Sequence, residues 1–290
     1  MRAGLGWAAL GLLLSGCAAT HDNPLGIDRS RQAVGQSSRV QFVVIHYTSA
    51  PLARSLDLLT THQVSAHYLV TDETRPRIMQ LVDESRSAWH AGQSSWYGRN
   101  WLNANAVGIE IVNPGYITPR QGQQQWAPYP DAQVQKTIAL VKDIVARHGI
   151  APENVVGHSD IAPQRKVDPG PLFPWGALAQ AGIGRWFDPA QVAQLTDAYL
   201  RNGVPDIAWV QQQLSILGYS VPQHGQFDRA TRNVIAAFQM HYRPARHDGE
   251  VDAQTAAILA ALPKHSGLPP LPKEAQANKT AVATPEADAP

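Results

Sequence analysis

The chain has 290 residues, enough for about two domains with real cores. Its hydrophobic fraction of 44% and charged fraction of 16% are those of a globular protein, not a disordered or fibrous one. A formal net charge of +1 gives no electrostatic reason to expect nucleic acid as a partner, and a single cysteine, Cys17, excludes a disulfide framework.

The chain opens with Arg2 and an apolar run, Trp7 to Leu14, that is too short to span a bilayer permanently. Residues 1–16 therefore read as a signal peptide, ending at Leu14-Ser15-Gly16-Cys17. That tetrapeptide resembles the lipobox of bacterial lipoproteins, which implies cleavage before Cys17 and lipidation of its thiol. An ordinary signal peptide cut nearby is the alternative. Ala18, rather than Asp, after the cysteine implies sorting to the outer membrane. The expected location is the periplasm, anchored at the inner leaflet of that membrane. Several acyl chains would hold firmly, because each buried methylene contributes about 0.8 kcal/mol.

Residues 17–38 are polar and aperiodic and read as a tether. Val40 to Tyr47 is a strand, β-branched and aromatic on both faces at its centre, with His46 where it opens into a loop. Ser55 is an expected N-cap for a short helix carrying Leu56 and Leu59. His67–Thr71 and Arg77–Val82 read as two short strands about a polar turn, and Ala106–Val112 as a further strand with Glu110 in its midst. Asp131–His148 is the clearest helix, capped by Asp131, striped by Val134, Ile138, Val141 and Val145, and ended by Gly149. Val155-Val156 closes as a strand. The stretch behind it, to Trp175, contains Pro163, Pro169, Pro171 and Pro174 and is expected to be neither helix nor strand. Asp188-Pro189 starts a helix with Val192, Leu195 and Tyr199 inward. Residues 39–203 thus form an α/β domain, a mixed central sheet flanked by helices. Residues 204–263 form a small three-helix domain, with helices at Ile207–Leu217, Thr231–Phe238 and Thr255–Leu262. Residues 264–290 are Pro-, Ala- and Lys-rich and read as a disordered tail.

Chemistry concentrates at His46, Glu110 and His158, with Lys166 and Asp168 in the proline-rich loop. Two imidazoles and one carboxylate, with a position left for water, form the ligand set of a catalytic zinc site; structural zinc would call for thiolates. A carboxylate flanked by Ile109 and Ile111 is costly to bury unless it is paired or has a task, such as taking a proton. Lys166, two residues from Asp168, would reach the same space and could stabilise an oxyanion. Structural alternatives stay open for each: partnered histidines, a salt-bridged edge-strand glutamate, a solvated lysine.

FVVIHYT at 42–48, SAHYLV at 65–70, AWHAG at 88–92, VGIEIVN at 107–113 and PENVVGHSDIAPQRKVDPGPLFPW at 152–175 follow in collinear order. Together they resemble the zinc-dependent N-acetylmuramoyl-L-alanine amidases of the phage-lysozyme and peptidoglycan-recognition type, nearest the AmiD-like lipoprotein branch. The resemblance implies one Zn2+ held by His46, His158 and Asp168, with Glu110 as catalytic base and Lys166 steadying the oxyanion. It implies hydrolysis of the amide between N-acetylmuramic acid, or its 1,6-anhydro form, and L-alanine. Tyr47, Trp89 and His90 are expected to line the substrate groove.

The pattern VQQQLSILGY at 210–219, with Gly225, Phe227-Asp228, Thr231 and Ala237-Phe238-Gln239, resembles a peptidoglycan-binding domain of three-helix type. Such a module would raise the effective concentration of wall at the active site of an expected monomer. A muropeptide-recognition protein that binds without cleaving is the alternative, although proteins of that sort typically lack the full ligand set. A deacetylase or peptidase using the same metal would differ in product mass. If Cys17 carries the anchor, Cys17→Ala protein moves from the washed membrane fraction to the soluble periplasmic extract; retention in the membrane would contradict the assignment.

Overall fold

A computed structural model describes residues 25–117 and 125–264. The expected signal peptide, Cys17 and most of the tail lie outside the described residues. The chain divides into two units, 1–37 and 38–290. Residues 25–37 of the first carry no helix or strand.

The second unit is built on a sheet of five strands: β1 (Phe42–Tyr47), β2 (Tyr68–Val70), β3 (Ile78–Gln80), β6 (Ala106–Ile111) and β9 (Val155–Gly157). Two small ribbons, β4 (Ser95–Trp96) with β5 (Arg99–Asn100) and β7 (Tyr116–Ile117) with β8 (Gln125–Trp126), complete the numbering. The sheet order is β3-β2-β6-β1-β9, with β1, β2, β6 and β9 parallel and β3 antiparallel on the edge. This is the expected mixed sheet flanked by helices. Four of these strands lie within their expected spans, each shorter by one or more residues, and β9 runs one residue further than expected, to Gly157.

Alternation along β1 sends Val43 and Ile45 to one face and Phe42, Val44 and His46 to the other. The first face packs with Val107, Ile109 and Ile111 against Leu140, Val141 and Ile144 of α2 (Asp131–His148). The second face carries Phe42, Val44, Ala106 and Val156 into a core shared with the C-terminal helices. Beside it, α1 (Leu52–Thr61) brings Leu59 against Leu69 and Val112.

Two expected caps are placed differently. Ser55 is buried inside α1, which starts after Pro51; its hydroxyl donates to the carbonyls of Ala50 and Pro51, the bonding back along the chain that serines make within helices. Asp131 is the first residue of α2, not its cap, and its charge favours the helix N-terminus. Gly149 ends α2 at φ 65°, a conformation that suits glycine. The buried stripe of α2 is rotated from the expected one. Gln133, Thr137, Leu140 and Ile144 join Val134 and Val141 inside, while Ile138 and Val145 are half-buried. Gln133 is buried because its Nε2 donates to the carbonyls of Val112 and Thr71, tying off two strand ends.

Helix also appears inside the proline-rich stretch, correcting that expectation: α3 (His158–Ile161) is one turn before Pro163, and α4 (Trp175–Gln180) starts just after Pro174. Each proline bounds a helix without entering it. Asp188 caps α5 (Pro189–Asn202) as expected, accepting from Ala190 N–H at 2.9 Å. This helix packs along α8 (Ala253–Ala261). Between them run α6 (Ile207–Ile216) and α7 (Arg229–Tyr242), the latter longer than expected at both ends.

On the sheet's outer flank, Glu84 accepts from Arg147 at 2.6 and 2.9 Å, from Tyr68 Oη at 2.7 Å and lies 2.7 Å from His148 Nε2. The Arg147 hydrogen bonds, helped by those of His148 and Tyr68, hold its carboxyl at about 2 against an ordinary 4.5. A depressed folded-state value stabilises above the unfolded one and is lost as the pH falls. Glu84→Gln should therefore cost about 1 kcal/mol at neutral pH, once solvent screening is allowed for. Urea midpoints of parent and variant should converge as the pH drops from 4.5 toward 2.

Candidate active site

His46 and Glu110 stand opposite one another in the parallel register of β1 and β6, on the face away from α2. His158 follows β9 immediately, as the first residue of α3. All three emerge at the carboxyl ends of parallel strands, where open α/β sheets place their sites. The chain then returns through Lys166 and Asp168, and Ser159 N–H donates to the Asp168 carbonyl at 2.8 Å, closing the loop on the start of α3.

The result is a triangle of ligand atoms. His46 Nδ1 lies 2.9 Å from His158 Nδ1, and each is 3.0 Å from Asp168 Oδ2. All three residues are buried. His158 Nε2–H donates to the Ala91 carbonyl at 3.1 Å, which leaves a lone pair on its Nδ1. His46 Nε2 is similarly engaged, 3.0 Å from His90 Nδ1. The His158 nitrogen lone pair, the His46 Nδ1 nitrogen and a carboxylate oxygen therefore face one point, with one proton at most, on His46, between them. Among the described residues this is the one group of His, Cys, Asp or Glu whose atoms could hold a metal ion together. Ligands about 2.0–2.1 Å from a tetrahedral zinc stand about 3.3–3.4 Å apart, so a shift of a few tenths of an ångström would suit the triangle to that ion. The donor set and spacing fit.

Burial, then the neighbouring His158, lowers His46 to about 4. Burial would raise Asp168, but the charge and hydrogen bond of His158, then those of His46, hold it well below the usual carboxylate range. Glu110 moves the other way. Burial, then the charge of Asp168, raises it to about 8, with Lys166 pulling it down. Its Oε2 is buried and has no hydrogen-bond partner, the costly state noted for a carboxylate with no task.

A cavity of about 400 Å³ opens over the triangle. Tyr47, Trp89, His90, Glu110 and Lys166 all line it, so the structure brings every sequence-derived candidate except Cys17 to one place. Trp89 is 60% exposed on the rim. Sequence reasoning missed Arg165, whose guanidinium hydrogen-bonds the carbonyls of Ala91 and Gln93 and so fixes the segment that receives His158. It also missed Thr48 and Ser65 in the wall. Both lie within the motifs at 42–48 and 65–70, but those motifs do not mark them as wall residues; only the fold shows that.

Residues 36–171 match the N-acetylmuramoyl-L-alanine amidase family model, and residues 203–259 match a putative peptidoglycan binding domain. The chain is 46% identical over 267 residues to N-acetylmuramoyl-L-alanine amidase AmiD of Escherichia coli, covering 88% of this chain and 95% of that one. The chain belongs to the N-acetylmuramoyl-L-alanine amidase family. Within that family, a solved structure of Escherichia coli AmiD with anhydro-N-acetylmuramic acid-L-Ala-D-γ-Glu-L-Lys matches at TM-score 0.72 and 47% identity, covering 81% of this chain and 93% of that one. AmpDh3 from Pseudomonas aeruginosa, in complex with anhydromuramic pentapeptide, matches at TM-score 0.75 and 40% identity, covering 82% of this chain and 97% of that one.

One steric demand of this amidase site is open to direct test. A Cβ at Gly108 would stand 2.4 Å from the His90 ring, the ring that meets His46. Gly108→Ala should cost about 1–3 kcal/mol in urea unfolding, as overpacking does. The penalty should largely vanish in a His90→Ala background, and equal penalties in both would place the strain elsewhere.

Proposed function

We propose that the chain is a zinc-dependent peptidoglycan amidase, cleaving the bond between N-acetylmuramic acid, or its 1,6-anhydro form, and the L-alanine of the stem peptide. The observation that carries this reading is the triangle of His46 Nδ1, His158 Nδ1 and Asp168 Oδ2 beneath a cavity also lined by Glu110, whose buried Oε2 has no hydrogen-bond partner among the described residues. Family membership and the muropeptides bound by the related structures support it.

His46, His158 and Asp168 would hold the ion. Zinc, when bound, supplies a Lewis acid for the scissile carbonyl and a water acidic enough to lose its proton near neutral pH. Glu110 takes that proton and returns it to the departing amine of L-alanine. Its high pKa without a cation suits both transfers, and a nearby cation would bring it down into working range. The Lys166 ammonium meets the negative charge that grows on the carbonyl oxygen. Trp89 and Tyr47 offer aromatic walls to sugar and peptide, and His90 orients His46. Residues 203–259 hold wall material near the cavity. A lipid on Cys17 keeps the monomer at the inner face of the outer membrane, in reach of the periplasmic wall; no described helix is long and apolar enough to cross a membrane.

Digestion of purified sacculi should release peptides headed by L-alanine and leave glycan strands intact by mass spectrometry, and chelator should stop it. Glu110→Gln should retain zinc and lose about 10²–10⁴-fold in turnover. Asp168→Ala should lose both zinc and turnover. Unchanged cleavage by Glu110→Gln would remove Glu110 from the mechanism, and muropeptide binding without any cleavage by the parent would make the protein a recognition module.

A further inference from the structure

Asp160 lies two residues beyond His158, in the same single turn of helix, but outside the cavity wall. It is 1% exposed. Its Oδ2 accepts the Gly157 N–H at 2.7 Å and lies 2.8 Å from His241 Nδ1, and its Oδ1 accepts the Tyr219 hydroxyl at 2.7 Å. Gly157 belongs to the strand that delivers His158. The other two partners come from the C-terminal helices: Tyr219 follows α6, and His241 is in the last turn of α7.

Both partners are themselves held. The His241 ring stacks on Trp175 at 3.8 Å between centroids and 12° between planes. Tyr219 receives the edge of Trp96 at 4.9 Å. On its other side, α3 is continuous with the ligand triangle: Ser159 N–H holds the Asp168 carbonyl, and Ala162 N–H holds the His158 carbonyl at 3.0 Å. A buried carboxylate with three donors is fixed in place, and loss of one donor leaves charge undercompensated where no water can replace it.

We propose that Tyr219 and His241 are positioning residues for the metal centre, acting through Asp160 to set α3 and hence the places of His158 and Asp168. The C-terminal helices then serve the reaction through Asp160, apart from any contact they make with the wall. This inference rests on the zinc reading above. Ligand atoms about 3 Å apart tolerate little displacement, and loss of such supporting contacts elsewhere weakens metal affinity by about 10–100-fold.

The test uses the full chain and zinc itself, with affinity measured by competition against a chromogenic chelator and stability by thermal unfolding of the metal-free protein. Tyr219→Phe removes one hydroxyl and keeps the ring, and His241→Ala removes the second donor. Each should weaken zinc binding by about 10–100-fold. His241→Asn, which keeps a donor near the Nδ1 position, should recover most of the loss. Ile258→Val, in the same core but outside the network, should lower the unfolding midpoint and leave zinc affinity unmoved. Affinities of Tyr219→Phe and His241→Ala within twofold of the parent would overturn the inference. So would an Ile258→Val variant that weakens zinc as much for the same loss of stability. A parent that binds no zinc would sink the metal reading and this inference with it, whereas a zinc-binding parent with unmoved network variants would sink this inference alone.

Discussion

Two ring nitrogens and a carboxylate oxygen crowded within 3.0 Å of one another are an electrostatic liability, and the rest of the molecule is arranged to sustain it. Water would relieve the crowding, so the atoms are buried. Their far sides would otherwise be free to rotate, so the Ala91 carbonyl and His90 engage the outer ring nitrogens. The backbone must bring three distant segments to one point, and adjacent parallel strands do that with little freedom left over. β1 and β6 are locked in register by cores on both faces, and a slip of one residue would turn His46 and Glu110 away from each other together.

How much of this was legible in the sequence depended on whether a segment's neighbours were local. The span of α2 follows from its own periodicity and Gly149, and the centres of β1 and β6 from runs of β-branched residues. The five central side chains stood out because two imidazoles, two carboxylates and an ammonium, in strands and in the loop behind them, are chemically conspicuous. What stayed hidden was set by partners far away in sequence. α3 exists where Asp160 can accept from Gly157 and from residues 219 and 241. The last turn of α7 reads as a polar, aromatic exit from a helix, yet His241 and Tyr242 are buried because they meet the first domain. Gln133 likewise sits inside for the sake of two strand carbonyls. The ribbons at 95–100 and 116–126 are too short to show a period at all.

The C-terminal helices illustrate the same point at larger scale. Fewer than about sixty residues without a disulfide or metal hold a marginal core. Here Val210, Leu214, Phe238 and Ile258 do not close on themselves, since the same apolar cluster runs through Tyr219 and Ala162 to Phe42, Val44 and Val156 of the sheet. α5 lies along α8, so the connection between the two halves is itself part of the packing. The arrangement is one body with two kinds of surface, not a catalyst with a flexible appendage.

That shared face has a consequence in time. The strands bearing His46 and Glu110 are made early, while the apolar cluster that holds their neighbours Phe42 and Val44 runs on to Ala257, Ile258 and Leu259 of the last helix. Until residues 219 and 241 have been made, the turn carrying His158 lacks two of the donors that fix Asp160. The strand residues of the site are thus made well before the two C-terminal donors that fix the turn of His158.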